Sequence, residues 1–310
     1  MRSRTIRASL QSASMDQPVT RFVDAGGLAF CVYDWPGANS LPAVVFCHAT
    51  SFHARVWDQT IRALRTLQPG RRCLALDTRG HGRSVKEGPP NPWPQAGRDL
   101  IDVMGALNLS GALGVGHSFG GHALIRGAAA APGLFNAVVL LDPTVFIRHA
   151  YGGWRMPETM IAVTRKRRNQ WASADEMFER FALRSPFSRW RPAVLRDYCD
   201  YGLEPDGAGG FRLACAPETE AGIYTTGSLP ENGAIYADVA ALDIPARVIR
   251  CGIARHGAEG AEMMLSSPTA PDLAAHFKHA EDVVLADTSH FIPMEAPERV
   301  AALIASWPPA

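Results

Sequence analysis

Between residues 19 and 145 short apolar runs alternate with amphipathic stretches. VTRFVDA (19–25) and LAFCVYDW (28–35), separated by Gly26-Gly27, read as a hairpin. AVVFCHA (43–49) is continuously apolar, as a strand covered on both faces is. VWDQTIRALRTL (56–67) follows as a helix, with Val56, Ile61, Leu64 and Leu67 at near-helical spacing. RCLALDT (72–78), ALGVGHS (112–118) and AVVLLDP (137–143) read as further strands, with helices over DLIDVMGALNL (99–109) and from Phe119 to Ala131. Such alternation implies right-handed crossovers and a parallel sheet, hence an α/β fold.

The rhythm stops over residues 146–237, which hold helix-like pieces (MPETMIAVTRKRRNQW, SADEMFERFALR, RPAVLRDYCDYG) broken by Pro and Gly. It returns at ARVIRCG (246–252), DVVLADT (282–288) and a closing helix, APERVAALIASW (296–307). A chain that leaves a sheet and comes back places the insertion over the strands' carboxyl ends, where open α/β sheets bind ligands. The expected organisation is a disordered leader (1–18), a core made of 19–145 and 238–310, and a helical cap (146–237). The leader is rich in Arg and Ser, so a transit peptide is the alternative, but it lacks the apolar segment of a secretory signal. GPPNPWP (88–94) reads as a Pro-rich surface loop.

Charge narrows the function classes. The 310 residues carry 31 Lys+Arg against 30 Asp+Glu, a net charge of +1, which leaves no electrostatic footprint for nucleic acid or an anionic membrane surface. Cys31, Cys47, Cys73, Cys199, Cys215 and Cys251 are widely spaced with no zinc-type pairing. Three of them lie in apolar runs, as reduced buried thiols do. A cytoplasmic protein without a metal or other cofactor is expected.

Gly116-His117-Ser118-Phe119-Gly120-Gly121 directly follows an apolar strand and precedes a helix. A sharp strand-to-helix turn needs minimal bulk around Ser118 and lifts its Oγ above the sheet, so Ser118 is the candidate nucleophile; a Gly-rich turn that merely contains a serine is the bland alternative. A serine hydroxyl needs a base. His290, after a strand and before the last helix, fits the order serine, acid, histidine. The other histidines have plain readings: His53, His149, His256, His276 and His279 in surface-like stretches, His81 in a turn, and His117 and His122 packed beside the elbow. The strand end near 250 reads CGIARHGAEG, with Glu259 and Glu262 too far along, so Asp142 at the end of AVVLLDP is the favoured acid. An ordinary turn before Pro143 is the alternative reading of Asp142, and Asp287 is the outside candidate for the acid. Oxyanion donors are expected from the N–H groups of Phe119 and Thr50, with His48 orienting the second loop.

Four segments together resemble the α/β-hydrolase superfamily in its capped, serine-nucleophile branch: His48-Ala49-Thr50-Ser51-Phe52, Leu76-Asp77-Thr78-Arg79-Gly80-His81-Gly82-Arg83-Ser84, GHSFGG, and SHFIPMEAPE at the histidine. The resemblance spans residues 19–307 and implies a mostly parallel eight-stranded sheet with an inserted helical cap. It implies a hydrolase of a small-molecule carboxylic ester or lactone acting through an acyl-enzyme on Ser118. Ala49 departs from the family's usual glycine. An acid after the sixth strand is similar to that of zearalenone-type lactonases and fungal acyl-CoA hydrolases. An acyl-CoA thioesterase or C–C bond hydrolase on the same triad stays open, as do a receptor-like relative and a perhydrolase. Of the bulky cap residues Trp154, Met156, Met160, Trp171, Phe178, Phe181, Trp190 and Tyr224, two or three are expected to touch substrate and the rest to be core. The expected pocket comprises His48, Ser51, Trp154, Met160, Tyr224 and Phe291. Arg165-Lys166-Arg167-Arg168 reads as a solvated helix face balanced by later acids. A monomer or homodimer is expected.

Overall fold

The apolar runs become the middle of a sheet. The computed structural model describes residues 17–253 and 261–308; most of the expected leader, His256 and Glu259 lie outside them. β1 (Val19–Ala25) and β2 (Leu28–Trp35) form the hairpin. Both turn glycines have positive φ, 64° and 79°, a region open to glycine at no steric cost. β3 (Val44–Cys47), β4 (Cys73–Leu76) and β5 (Ala112–His117) are buried throughout, and β6 (Phe135–Leu141) nearly so. Val44 and Phe46 face one core cluster with Trp57, Ile61 and Ile304; Val45 and Cys47 face another with Leu100, Leu124 and Val239. The period-2 geometry of a strand covered on both faces therefore explains the unbroken hydrophobicity.

The helices α1 (Asp58–Leu67), α2 (Pro92–Ala106) and α3 (Phe119–Ala130) connect these strands. α2 starts at Pro92 rather than Asp99, which corrects the reading of 88–94 as a surface loop. Asn91 caps the helix by accepting from the Trp93 N–H, and Pro92 fits the first turn, where no intrahelical donor is needed. Trp93 is buried against Phe119 and donates its indole N–H to the Ile223 carbonyl at 3.0 Å, tying the helix to the insertion.

That insertion contains α4 (Glu158–Arg165), β7 (Gln170–Trp171), α5 (Ala174–Ala182), α6 (Pro192–Tyr201), β8 (Leu203–Pro205), β9 (Phe211–Leu213) and α7 (Pro217–Thr226). β7, β9 and β8 form a small antiparallel sheet whose strands are too short to show a sequence period. Trp171 and Trp190 are core residues. α8 (Ile235–Ala241) already packs in the second core cluster, so the expected cap boundary at 237 falls inside a core helix. β10 (Ala246–Cys251) and β11 (Ala280–Leu285) rejoin the sheet, with α9 (Ala261–Leu265) between them and α10 (Ile292–Glu295) and α11 (Pro297–Ala305) after them. The eight strands run in the order β1-β2-β4-β3-β5-β6-β10-β11, antiparallel only where β2 meets β1 and β4.

The basic run departs from a solvated face at Arg167. Arg165 and Arg168 make surface pairs with Glu218 and Glu176, but Arg167 turns inward to Glu220 on α7, which is 4% exposed, and reaches Tyr198 Oη at 3.4 Å. Removing one partner of a buried pair strands the other charge. Glu220→Ala is expected to cost about 3 kcal/mol in urea unfolding, the low end for a buried pair, because a quarter of the Arg167 side chain still meets solvent. Glu218→Ala should leave the midpoint nearly unchanged.

Candidate active site

Ser118 stands between β5 and α3 at φ 54°, ψ −118°, a backbone conformation that costs a residue with a Cβ and persists only where the surroundings impose it. The surroundings do so by close approach. A Cβ at Gly116 would lie 2.7 Å from the Gly120 carbonyl oxygen, and one at Gly120 would lie 2.2 Å from the Cys47 carbonyl oxygen. The Ser118 N–H donates to the Leu141 carbonyl at 3.0 Å, while its own carbonyl accepts from Gly121 and His122 at the start of α3.

The structure brings Ser118, His290 and Asp142 together. His290 follows β11; its N–H donates to the Leu265 carbonyl and its carbonyl accepts from His117 Nε2, both at 2.8 Å. His290 Nδ1 lies 2.7 Å from Asp142 Oδ2, and Nε2 lies 3.0 Å from Ser118 Oγ. Asp142 follows β6 at φ 46°, fully buried, with its N–H on the Ile249 carbonyl at 2.6 Å. Burial alone would raise its carboxyl; hydrogen bonds from His290 and Ser267, with the charge of His290, outweigh that and leave it below the usual carboxylate range. Asp287 is exposed and paired with Arg299 at 2.7 Å, and Glu262 is exposed on α9. A hydroxyl, imidazole and carboxylate linked in this order can pass the hydroxyl proton to the ring while the carboxylate stabilises the resulting cation.

Three hydroxyl residues that sequence reasoning missed also meet here. Thr144 Oγ1 is 3.1 Å from Ser118 Oγ, and Ser267 and Thr269 approach Asp142 Oδ1. Thr144 lies two positions after Asp142, a faint local signal; Ser267 and Thr269 carry none, since only the return of the chain beside β6 brings them in.

The loop after β3 is held by neutral imidazoles. His48 Nε2 accepts from the Thr78 N–H at 3.0 Å, which puts its ring proton on Nδ1, 2.8 Å from the Ala49 carbonyl. His81 Nε2 accepts from the Ser51 N–H at 3.0 Å, and its Nδ1 faces the Arg79 carbonyl at 2.9 Å. His48 thus orients the loop from a fully buried position, and His81 does more than occupy a turn. Ser51 sits at φ 66°. Thr50 on the loop after β3 and Phe119 at the start of α3 are buried, and the Gly120 approach presses that loop against the helix. His53 corrects the surface reading: it is buried, its ring stacks on Tyr198 with centroids 5.8 Å apart, and its Nε2 meets the Tyr198 carbonyl at 3.1 Å. Phe291 packs on Phe52, Trp190 and the His290 ring.

A cavity of about 680 Å³ opens on the Asp142 side, lined by residues that include Phe146, Ile147, Trp154, Met263, Ser267 and Thr269. Ser118, His290, Met160 and Tyr224 are not among its described lining residues. Met160 is half-buried on α4, and Tyr224 stands one turn beyond Glu220 on α7. Among the described residues no group of three or more His, Cys, Asp and Glu side chains is placed to hold a metal ion, and no helix is long and apolar enough to cross a membrane. All six cysteines are free and buried.

Comparison with known proteins adds to this geometry. The model of the alpha/beta hydrolase family matches residues 44–303. An esterase of Mycobacterium tuberculosis is 36% identical over 136 residues, which span 43% of this chain and 43% of the esterase. An abhydrolase domain-containing protein of Alternaria alternata is 25% identical over 225 residues, covering 63% of this chain and 82% of its own. Among solved structures, an E-2-(acetamidomethylene)succinate hydrolase superposes with a TM-score of 0.69 at 19% identity, over 93% of this chain and 98% of the other. The solved M. tuberculosis esterase superposes with a TM-score of 0.67 at 21% identity, over 95% of each chain. At these identities the superpositions speak for the fold.

The buried histidines predict a fold that loses stability in acid. Burial is the leading cause that holds His48 well below its ordinary value, His53 and His81 down to about 4, and His117 and His122 down to about 3. Their folded values lie below the unfolded one near 6.5, so the stability they contribute is complete above that pH and is lost as pH falls from 6.5 toward 4, by up to about 1.4 kcal/mol per pH unit for each histidine. Asp77 and Asp197, raised by burial to about 6 and about 7, oppose them, as do Asp58 and Asp238, which burial also raises, but the five histidines outnumber these carboxyls. Urea midpoints measured from pH 7.5 to 5 should fall steadily; a flat profile would mean that these rings are not buried as neutral groups.

Proposed function

The chain belongs to the alpha/beta hydrolase family, and on that premise we propose that it is a serine hydrolase of a carboxylic ester or lactone. The observation that carries this reading is the directed chain from Ser118 Oγ through His290 to Asp142, with distances of 3.0 and 2.7 Å. Ser118 Oγ attacks the substrate carbonyl as His290 Nε2 takes its proton, and Asp142 keeps Nδ1–H in place and balances the imidazolium. The N–H groups of Phe119 and Thr50 receive the oxyanion of the tetrahedral intermediate. His290 then protonates the departing alcohol oxygen, leaving an ester on Ser118. Water, activated by the same ring, attacks that ester, and the acid is released with Ser118 restored. The complete hydrogen-bonded chain favours turnover over a purely ligand-binding role. The esterase name of the mycobacterial relative supports ester chemistry.

Hydrolysis of p-nitrophenyl esters of graded chain length, followed at 405 nm beside a lactone panel, tests the reading. Ser118→Ala should lose at least about 10³-fold in kcat/KM, and Asp142→Asn about 10³- to 10⁴-fold, as the wrong imidazole tautomer is stabilised. Asp287→Asn should behave as wild type. Undiminished turnover in Asp142→Asn, with the loss appearing in Asp287→Asn, would move the acid.

A further inference from the structure

Asp142 is oriented from both sides, and only one side is His290. Its Oδ2 receives the His290 Nδ1–H, while two hydroxyls stand at Oδ1. Donor accounting separates these two. Thr269 Oγ1 lies 2.7 Å from the Pro143 carbonyl oxygen, which can only accept, so the Thr269 proton is committed there and its 3.2 Å approach to Asp142 Oδ1 is not a donated bond. Ser267 is the reverse case: its Oγ accepts the Thr269 N–H at 3.2 Å, which leaves its single proton free for Asp142 Oδ1 at close range. The Ser267 N–H is fixed on the Ile253 carbonyl at 2.9 Å. The nearby Cys251 thiol lies 3.6 and 3.8 Å from the Ile253 and Leu265 carbonyls, so its proton also has acceptors other than Asp142.

We propose that Ser267 is a positioning residue for the reaction, the fourth member of a hydrogen-bonded set in which the chain from Ser118 through His290 and the Ser267 Oγ–H both donate into Asp142, one to each carboxylate oxygen. The proposal rests on the serine-hydrolase reading above and extends it to a residue far from the sequence motifs. With a donor on each oxygen, the carboxylate cannot rotate about its χ2, so Oδ2 stays on Nδ1 and Nε2 stays on the hydroxyl. Without Ser267 the carboxylate turns more freely and also becomes a stronger acceptor for His290, which then holds its proton to higher pH. The other charged or titratable groups that face this pair are His117, which donates to the His290 carbonyl, Arg250 and Cys251 on β10, and Glu295, which binds Ser289.

The test is the pH profile of p-nitrophenyl butyrate hydrolysis by Ser267→Ala, Ser267→Thr, Ser267→Cys and Thr269→Val, with Ser118→Ala as the control. Ser267→Ala is expected to lower kcat roughly ten-fold or more with KM little changed, the scale of one hydrogen bond to a charged group. The acid limb of kcat/KM should move to higher pH, and Ser267→Thr, which keeps the hydroxyl, should restore both. Thr269→Val should lose stability without moving the limb. Should Ser267→Ala fail to fold, the near-isosteric Ser267→Cys carries the test, with an intermediate rate and a shift in the downfield proton resonance of His290 Nδ1–H. Turnover that depends on Ser118 but keeps its wild-type kcat and acid limb in Ser267→Ala, or its wild-type rate and resonance in Ser267→Cys, would overturn the positioning role alone. Turnover that survives Ser118→Ala would overturn the serine-hydrolase reading itself.

Discussion

A carboxylate sealed from water must receive its hydrogen bonds from the fold, and Asp142 is such a group. An ionised side chain left unpaired at that depth would cost several kcal/mol, or would simply take up a proton. Its partners come from two later segments of the chain: His290 from the segment after β11, Ser267 from the segment after α9. Neither is near it in sequence. The need to satisfy one buried charge therefore ties the end of β6 to two later stretches, and the imidazole that meets this need also faces Ser118.

The second constraint is steric and lies at the elbow. Ser118 is held at positive φ because β5, α3 and the loop after β3 come so close that only hydrogen fits at Gly116 and Gly120. The same approach sets that loop against the start of α3. The loop itself is held by rings rather than by regular structure. His48 and His81 accept backbone N–H groups, which requires them to be neutral, so the geometry of the loop and the protonation state of its supports are one property. Asp77 completes the arrangement by accepting from the Ala54 and Arg83 N–H groups at 2.7 and 2.8 Å.

Much of this was legible in the sequence where a local pattern carries a local cause. The unbroken apolar runs at Val44–Cys47 and Ala112–His117 announced strands covered on both faces, and the glycines around Ser118 announced a turn without room for side chains. Asp142 could be favoured because the strand end near 250 offers no carboxylate. What stayed hidden depends on long-range placement. Trp93 reads as part of a proline-rich loop until Ile223 supplies an acceptor for its indole. Arg167 looks like its neighbours Arg165 and Arg168 until α7 brings Glu220 against it. His53 looks polar and exposed until Tyr198 covers it. Ser267 and Thr269 are ordinary hydroxyl residues in sequence, and only the sheet order β6-β10-β11 gathers them at the acid. The strands of the inserted sheet are two and three residues long, too short for any period to register.

The central claim is that the His290–Asp142 pair activates Ser118 toward an acyl or phosphonyl centre. Treatment with a fluorophosphonate probe, followed by proteolysis and peptide mass mapping, reads this directly because the probe bonds only to an activated hydroxyl. The claim predicts one adduct, on the peptide that carries Ser118, formed quickly in wild type and strongly slowed in Asp142→Asn. An unmodified chain, or an adduct on another residue, would contradict it.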